Sequence, residues 1–496
     1  MNEITPSEDT LAAADLGSNS FHLIVAGLRQ GQLQVLDRLR EPVRLAAGLD
    51  KNQCLHPEAR ARALACLERF GQRLRHLPAR NVRVVGTNAL RQAQGTEGFL
   101  RDAEAAIGHP IEIISGVEEA RLIYLGVSHS LPDAGGRRLV VDIGGGSTEL
   151  IIGEGFEALY PESLYMGCVS FSERYFPDGQ LGKEGWRGAE IAAGLELRPV
   201  QDRFRRLGWE SVAGASGTIR AIREVLQTNQ WSEQGISRDG LQKLRKALQQ
   251  VEHVDALNLP GLAEERKPVL AGGVVILWTL FDTLGIEQMR VSDGALREGL
   301  LYDAIGRIQQ VDVRERTVNS LVERYHVDTA HASQVEQTAL RLFDQVRKDW
   351  KLEDDEYPAM LRWAARLHEI GLVIAHSGYQ KHGAYLLANS DLPGFSRREQ
   401  NLLAMLVLGH RRKFPVSGFD SHGKAAQRLC VLLRLAILLH RSRGPEEPPA
   451  IALRPGGTNL ELVFPEAWLA QHPMTEADLA REVEFLKAAK WKLQVT

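Results

Sequence analysis

Two glycine-rich loops carry the residues whose types and spacing best suit phosphate chemistry. The first occupies residues 15–20 (DLGSNS) and the second residues 142–149 (DIGGGSTE). One constant shift along the chain aligns Asp15 with Asp142, Gly17 with Gly144, and Ser20 with Ser147. Each loop joins two short apolar runs, which is typical of a strand–turn–strand hairpin. Because glycine lets backbone N–H groups approach a ligand, the repeat predicts two loops that bind phosphate in one cleft.

Phosphoryl transfer requires positioned hydrogen-bond donors, neutralisation of charge and a group that orients the nucleophile. The backbone and hydroxyl groups of both loops are the predicted phosphate ligands: Gly17, Ser18, Asn19, Ser20, Gly144, Gly145, Gly146, Ser147 and Thr148. A third small-residue turn, in VAGASGTIRAI, adds Ser216, Gly217 and Thr218. The sequence has no GxxxxGK[ST] motif, which excludes a P-loop enzyme.

Two carboxylates flank the second glycine turn, since Asp142 ends one apolar run and Glu149 begins the next. Hard oxygen ligands beside a phosphate site suit Mg²⁺, which takes few protein ligands and shares substrate oxygens. Asp15 of the first loop is a further candidate metal ligand. The competing interpretation of Asp142 is a carboxylate that only caps the turn.

The segment ISGVEEARL places two adjacent glutamates at the predicted start of a helix. Ser115 and Glu118 have the spacing of a capping box, which accounts for Glu118 structurally. Glu119 lies about 100° further round the helix and follows a strand end, so we assign it as the base for the attacking water. A solvated first-turn glutamate is the alternative. Arg91 is a candidate for a bidentate phosphate contact, and a surface arginine is equally consistent with its position.

The overall charge limits how this chain can bind an anion. Its 496 residues carry a net charge of -3, with 44% apolar and 25% charged residues. The length suggests roughly three to four domains. A chain of this charge does not attract a polyanion as a whole, so local Lys and Arg side chains must bind one. We expect no specific nucleic-acid partner.

Cysteine usage and the N-terminus favour a cytoplasmic protein. The four cysteines are scattered and form no CxxC pair, and the N-terminus MNEITPSEDT has no pattern of a signal peptide. The longest apolar stretch, residues 269–281, is shorter than a membrane span and predicts a buried helix. Peripheral contact with the inner face of the membrane stays open.

Strands alternate with helices through the first 305 residues, which predicts a mixed α/β architecture. Strands are expected at residues 83–86 and 111–114, and helices at residues 58–77 and 117–127. Gly272 and Gly273 are predicted to form a turn that opens a buried helix. The repeated loops divide this part into two related α/β domains, residues 1–128 and 129–305.

The remaining chain is predicted to be almost wholly helical from residue 306 to 445, with a small α+β unit at residues 446–496. A Pro-rich hinge at residues 444–450 separates them, and AIALRPGGTNLELVF has the pattern of a hairpin. Exposed basic residues in the helical part are predicted to bind a long polyanion: Arg397, Arg398, Arg411, Arg412 and Lys413. Ordinary solvated helix faces are the alternative.

The histidine-rich helical region resembles the HD phosphohydrolase domain through HASQVEQTAL, LHEIG and HSGYQKH. A working HD site needs a His–Asp pair and a later aspartate on the metal. Here Glu369 takes the place of the first aspartate, and Ile437 takes the place of the second. We therefore predict hydrogen-bonded or surface histidines rather than a metal site at His331, His368, His376 and His410.

Taken together, seven motifs resemble the exopolyphosphatase/guanosine pentaphosphate phosphohydrolase family of the actin/hexokinase/sugar-kinase superfamily. They are DLGSNSFH, GTNALRQA, ISGVEEARLIYLGV, VVDIGGGSTEL, MGCVSFSERYF, GASGTIRAI and SDGALREG. The resemblance implies two ribonuclease-H-like (actin-like ATPase) domains and Mg²⁺-dependent removal of a terminal phosphate, with K⁺ as a candidate activator. It implies Glu119 as the catalytic glutamate, Asp142 and Glu149 as metal ligands, and Arg91 as the family arginine.

The resemblance leaves two sister activities. The segments RVSDGALREG, HSGYQKHGAYLL and HRRK favour a long exopolyphosphatase acting on inorganic polyphosphate, which is the leading prediction. The basic residues of the helical part are expected to make it processive, and the resemblance implies a homodimer. RLAAGL and ERYF favour the alternative, a hydrolase that binds guanosine penta- or tetraphosphate. Further alternatives are an ATP-dependent small-molecule kinase that binds adenosine at Gly272 and Gly273, and a non-catalytic nucleotide sensor.

Overall fold

The computed structural model describes residues 10–29, 32–50, 52–132, 135–308, 312–354, 356–420, 422–444, 448–456 and 458–496. The chain forms two compact units, Met1–Val311 and Asp312–Thr496. The middle of the predicted Pro-rich hinge and Gly457 of the predicted hairpin lie outside the described residues.

The first half of the first unit is a five-stranded sheet with helices. Its strands are β1 (Thr10–Leu16), β2 (Phe21–Arg29), β3 (Gln32–Glu41), β4 (Val82–Gly86) and β5 (Ile111–Ile113), in the order β3-β2-β1-β4-β5. Its helices are α1 (Pro57–Leu74), α2 (Asn88–Gln92), α3 (Glu97–Ile107) and α4 (Gly116–Ser130). The central strand β1 is alanine-rich and buried along nearly its whole length, which lets elements pack closely on both faces.

The second half contains a six-stranded sheet. Its strands are β6 (Arg137–Ile143), β7 (Thr148–Glu154), β8 (Glu157–Leu164), β9 (Ser211–Ala215), β10 (Ile236–Ser237) and β11 (Gln288–Val291), in the order β10-β11-β9-β6-β7-β8. Its helices are α5 (Cys168–Tyr175), α6 (Lys183–Leu207), α7 (Ser216–Thr228), α8 (Arg238–Gln249), α9 (Lys267–Leu284) and α10 (Leu296–Ile308). The predicted mixed α/β architecture is confirmed.

The two sheets repeat one topology. In each half an antiparallel hairpin contains the glycine loop, and its first strand pairs in parallel with a later strand, β1 with β4 and β6 with β9. The register places Asp15 opposite His22 and Asp142 opposite Glu149. The internal repeat read from the two loops therefore extends to strand order.

The two halves share part of their apolar core. One cluster contains residues of both sheets and of α4 and α10: Ala13, Ile24, Ala120, Ile123, Val140, Ile151 and Leu300. Buried Asp303 of α10 also accepts a hydrogen bond from Arg121 of α4, at 2.6 Å. Helix α4 runs through the predicted boundary at residue 128, and α10 runs through the one at residue 305.

Helix α9 lies in the core of the second half. The segment Glu264–Leu284 is long and apolar enough to span a membrane, but most of α9 is buried against other elements of this unit. The predicted buried helix is confirmed. The predicted Gly-Gly turn is wrong, because α9 begins at Lys267 and both glycines lie inside it. A Cβ on Gly272 would lie 2.5 Å from the Cys168 carbonyl oxygen, so these glycines allow close helix packing.

The second unit packs helices and a small sheet around one core. Its helices are α11 (Val313–Arg324), α12 (Thr329–Val346), α13 (Glu356–Leu367), α14 (Tyr379–Asn389), α15 (Arg397–Gly409), α16 (Gly423–Leu439), α17 (Trp468–Gln471) and α18 (Pro473–Ala488). Strands β12 (Ala452–Gly456), β13 (Asn459–Val463) and β14 (Lys492–Val495) form a sheet in that order. Leu462 and Leu486 of the C-terminal segment join the same cluster as Leu342 and Leu432, so both predicted parts share a core.

Candidate active site

The two glycine loops meet in the first unit and line one cleft of about 410 Å³. The loops come close together at Gly145 and Ser18, because a Cβ on Gly145 would lie 3.2 Å from the Cβ of Ser18. Gly146 lies against Asn88 in the same way, at 2.7 Å from its side-chain oxygen. A larger residue at position 145 would therefore push the loops apart, and one at position 146 would collide with Asn88.

Backbone hydrogen bonds hold the second loop in shape. Gly144 donates its N–H to the Ser147 carbonyl at 2.9 Å, which closes the turn between β6 and β7. The carbonyls of Gly144 and Gly145 accept the N–H groups of Cys168 and Val169, each at 2.9 Å. The start of α5 thus fixes the loop backbone, and the loop residues 144–147 line the cleft.

Glu119 lies in the first turn of α4 and also lines the cleft. Ser115 caps this helix by accepting the Glu118 N–H at 3.1 Å, as predicted. The Glu118 carboxylate, however, is held by the Arg121 guanidinium in two hydrogen bonds of 2.8 Å. Glu119 is only 8% exposed, so it is not the solvated glutamate that was the alternative.

Arg91 holds the Glu119 side chain. Its Nη1 donates to Glu119 Oε2 at 2.7 Å and to the Ile114 carbonyl at 3.0 Å. Both side chains are about nine-tenths buried, so the ion pair is shielded from solvent. In this arrangement Arg91 orients the carboxylate that faces the cleft.

Three further carboxylates surround the loops. Asp15 and Asp142 line the cleft, while Glu149 is 1% exposed and accepts a hydrogen bond from the Ser163 hydroxyl at 2.8 Å. Burial and the charge of Glu119 raise the pKa of Asp15 to about 7 and that of Asp142 to about 7. Burial, Glu119 and Asp142 also raise the pKa of Glu149 well above its usual value.

This crowding of carboxylates suits a divalent cation. Each raised pKa reports that burial, and then the neighbouring carboxylates, disfavour the ionised form, and a bound cation would offset both effects. Asp15 Oδ1 is buried and has no hydrogen-bond partner among the described residues. A buried carboxylate oxygen without a donor is open to a metal ion. Asp15, Asp142 and Glu149 could therefore hold Mg²⁺.

Five arginines also line the cleft, and the sequence did not identify them as site residues: Arg40, Arg220, Arg223, Arg266 and Arg297. Burial and then neighbouring guanidinium groups lower the pKa of Arg220 and of Arg266. This mutual repulsion favours a bound polyanion. Arg220 and Arg297 lie within the motifs GASGTIRAI and SDGALREG, which is the signal that could have identified them.

His22 lines the cleft next to Arg297. Its Nδ1 accepts a hydrogen bond from Arg297 Nη1 at 3.2 Å. Burial and the surrounding arginines lower the pKa of His22 to about 3, so the ring is neutral at pH 7. A neutral imidazole orients Arg297 without cancelling its charge.

The third predicted turn follows β9 and lines the cleft with Ser216, Gly217 and Thr218. Ser216 has a φ of 85°, a strained value for a residue with a side chain. Gly217 lies against the Arg266 guanidinium, since a Cβ there would be 2.2 Å from Nη2. Thr148 was also predicted to bind phosphate, but it is fully buried and donates its hydroxyl to the Met166 carbonyl at 2.6 Å. Its hydroxyl is therefore engaged within the protein.

Family models match nearly the whole chain. The model for the Ppx/GppA phosphatase family matches residues 24–308, and the model for Ppx/GppA phosphatase, domain III, matches residues 313–483. The chain belongs to the Ppx/GppA phosphatase family.

Three relatives that align over nearly their whole length are named guanosine-5'-triphosphate,3'-diphosphate pyrophosphatase. The protein from Pseudoalteromonas translucida is 39% identical and aligns over 100% of both chains. The protein from Vibrio cholerae is 40% identical over 99% of this chain and 98% of its own. The protein from Aeromonas hydrophila is 41% identical over 97% of each.

Two solved structures share the fold over 59% of this chain. An exopolyphosphatase from Cytophaga hutchinsonii has a TM-score of 0.54 and 24% identity, covering 59% of this chain and 96% of that one. The Aquifex aeolicus PPX-GPPA enzyme has a TM-score of 0.51 and 24% identity, covering 59% and 98%. Both support the actin-like fold implied by the resemblance.

The predicted polyanion-binding residues belong to the second unit and form two groups. Arg397 and Arg398 are exposed in the first turn of α15. Arg411, Arg412 and Lys413 follow the other end of this helix, about 20 Å away along its axis. Arg411 lies over the Tyr379 ring at 4.7 Å, whereas Arg412 and Lys413 are exposed.

The histidines of the second unit divide into two kinds. His331, His368 and His410 are buried together, with ring centres 5.5 Å apart for the first pair and 5.6 Å for the second. His376 is exposed. Ile437 packs against the apolar core and offers no metal ligand. The prediction of hydrogen-bonded histidines is incomplete, because His368 Nε2 and His331 Nδ1 have no partner among the described residues.

Proposed function

We propose that this chain hydrolyses the terminal 5' phosphoanhydride of guanosine 5'-triphosphate 3'-diphosphate and releases inorganic phosphate. The observation that carries the reaction is one cleft lined by Glu119, two glycine loops, crowded carboxylates and a group of arginines. Such a site positions a polyphosphate and neutralises its charge, which are the main requirements of phosphoryl transfer.

The choice of the nucleotide rests on the relatives. Three proteins that are 39% to 41% identical over nearly their whole length are named for this substrate. The exopolyphosphatase structures, at 24% identity, support the fold and leave the substrate open. The cleft, at about 410 Å³, has the size of an ordinary small-molecule site. The sequence-based preference for inorganic polyphosphate therefore becomes the second candidate.

In the proposed reaction Glu119 accepts a proton from water as the water oxygen attacks the terminal phosphorus. The bond from that phosphorus to the bridging oxygen breaks, and the shortened nucleotide leaves with the bridging oxygen. Arg91 keeps the Glu119 carboxylate oriented through its 2.7 Å ion pair. The backbone of the loops and the cleft arginines bind the non-bridging oxygens, whose charge is redistributed in the transition state.

Asp142, Glu149 and Asp15 are the proposed ligands of Mg²⁺. The ion would supply the positive charge that these buried carboxylates and the substrate oxygens both need. The three carboxyl groups must lose their protons to bind it. Activation by K⁺ and a homodimer remain further proposals of the family resemblance, and a cytoplasmic location remains a proposal from cysteine usage and the N-terminal sequence.

A direct comparison of two substrates tests this proposal. Phosphate release from guanosine 5'-triphosphate 3'-diphosphate and from long-chain polyphosphate is measured with the same preparation, with Mg²⁺ and with a chelator. We expect kcat/KM to be at least about tenfold higher for the nucleotide and to require Mg²⁺. A preparation of Glu119→Gln controls for contaminating phosphatases. A preference for polyphosphate would overturn the substrate, and equal activity in Glu119→Gln would overturn the site.

A further inference from the structure

The second unit contains a cluster of buried metal-type ligands that the proposed reaction does not use. The ligand atoms of His331, His368 and Glu369 lie within 4.8 Å of one another. His368 is 1% exposed, His331 6% and Glu369 7%. Three such side chains rarely lie together in a protein interior without a hydrogen-bonding or ligand-binding reason.

The three side chains come from the ends of different helices. His331 is in the first turn of α12, where Asp328 caps the helix by accepting its N–H at 3.1 Å. His368 and Glu369 directly follow the end of α13. Their backbones are therefore held by elements of the unit's apolar core. Such positions favour a prearranged site over a chance contact.

One hydrogen bond fixes the protonation of His368. Its Nδ1 lies 2.7 Å from the Ala365 carbonyl oxygen, which can only accept, so Nδ1 carries the proton. Nε2 is then unprotonated, and it is buried without a partner among the described residues. A histidine that donates through one nitrogen to a backbone carbonyl and leaves the other bare has the arrangement of a metal ligand.

His331 and Glu369 complete the cluster. His331 Nδ1 is also buried without a partner in the described part of the chain. Glu369 Oε1 lies 3.9 Å from His368 Nε2.

Arg443 occupies the position of a counter-ion. Its Nη2 forms an ion pair with Glu369 Oε1, and its Nη1 lies 3.4 Å from Asp328 Oδ2. The Arg443 side chain is 46% exposed. It can therefore leave Glu369 for solvent and stay near Asp328, which frees the Glu369 carboxylate to turn toward the two imidazoles.

We propose that His331, His368 and Glu369 bind one divalent transition-metal ion, of the class of Zn²⁺, with water in the remaining position. Two imidazoles and one carboxylate suit Zn²⁺ and exclude Mg²⁺, which prefers oxygen ligands. Ligand atoms around tetrahedral Zn²⁺ lie about 3.4 Å apart, so the cluster must contract by roughly 1 Å. The site is distinct from the carboxylates of the cleft, and its existence does not depend on the proposed hydrolysis.

The test measures Zn²⁺ bound to the full-length chain, in buffer with excess Mg²⁺ so that cleft carboxylates are competed. We expect one Zn²⁺ per chain by elemental analysis after dialysis, and a zinc X-ray absorption spectrum with two imidazole ligands. In titration calorimetry, His331→Gln and Glu369→Gln should each weaken the affinity at least about 100-fold. The exposed His376→Gln and the cleft variant Asp142→Asn should keep it.

Arg443→Met provides a variant that should change affinity in the opposite direction. Removing the competing guanidinium leaves Glu369 available, so we expect Zn²⁺ to bind about 3- to 10-fold more tightly. This result cannot be produced by misfolding. The proposal is overturned if Zn²⁺ does not bind stoichiometrically, if His331→Gln and Glu369→Gln retain it, or if Arg443→Met weakens it. It is also overturned if Asp142→Asn abolishes binding, because the ion would then belong to the cleft.

Discussion

The two halves of the first unit share one topology but differ at one cross-strand position beside the glycine loop. In the first hairpin Asp15 faces His22, whereas in the second Asp142 faces Glu149. His22 is neutral and contacts Arg297, while Glu149 adds a second carboxyl group beside Asp142. The duplicated scaffold thus places a histidine that contacts an arginine beside one loop and a second carboxyl group beside the other.

Glu119 lies in neither loop, yet its charge adds to the effect of burial and raises the pKa of Asp15 and of Asp142. If Glu119 is the base for the attacking water, Glu119→Gln should lower kcat about 10³- to 10⁴-fold with little change in KM. Glu58, an exposed glutamate in the first turn of α1, supplies the matched control Glu58→Gln. If Glu119→Gln lowers activity less than tenfold, the assignment of Glu119 as the base is wrong.

Asp142→Asn and Asp15→Asn test whether the two loops contribute unequally to Mg²⁺ binding. We expect Asp142→Asn to lower activity about 100-fold or more and to raise the Mg²⁺ concentration needed for half-maximal rate. The reason is that Asp142 lies opposite Glu149, the second proposed metal ligand of this hairpin. Asp15→Asn should change the Mg²⁺ requirement less. Mg²⁺ titrations of both variants decide the comparison. An equal shift in both would mean that the loops share the metal.

The stability of the metal-free protein should report the crowding of carboxylates. Asp142 has a folded pKa of about 7, above its ordinary value near 4, so the folded state holds this proton more tightly than the unfolded chain. Stability is therefore lost as the pH rises from about 4 through about 7. Asp142→Asn should be more stable than the unchanged chain by about 2–4 kcal/mol at pH 8, with chelator present, and nearly equal at pH 4. Denaturant unfolding at both pH values measures the difference, and a destabilised variant at pH 8 would contradict a raised pKa of Asp142.

The dependence of Mg²⁺ binding on pH gives a smaller effect. Asp15 and Asp142, each with a pKa of about 7, must lose their protons to bind the cation. The apparent Mg²⁺ affinity should rise about tenfold per pH unit for each proton displaced below pH 7, and level off above pH 8. Activity measured against Mg²⁺ at pH 6, 7 and 8 tests this. A Mg²⁺ requirement that does not change with pH would argue against these ligands.

His22→Gln should have the smallest effect. His22 is neutral and serves as an acceptor for Arg297, and a glutamine oxygen can replace it in that role. We expect KM for the nucleotide to change less than about threefold. His22→Glu, which copies the second hairpin, should instead raise KM because it pairs with Arg297 and repels the substrate. Similar KM values for both variants would show that the charge at this cross-strand position does not affect substrate binding.

Local sequence predicted much of the scaffold. The strand–turn–strand repeat, the start of α4 at its Ser115 cap and the apolar helix α9 all depend on nearest neighbours along the chain. Turn chemistry, capping and hydrophobic period act over a few residues, so they can be read without knowing the fold. The same reasoning failed at Gly272 and Gly273, where glycine serves helix packing in α9.

The amino-acid sequence alone determined the two glycine loops, the carboxylates beside them and the family to which the motifs point. Only the tertiary structure decided that Arg91 holds Glu119, that Arg40 and Arg266 reach the same cleft, and that His331 meets His368. These contacts join residues that are far apart in the chain. Their geometry depends on how buried elements pack, and no local pattern encodes it.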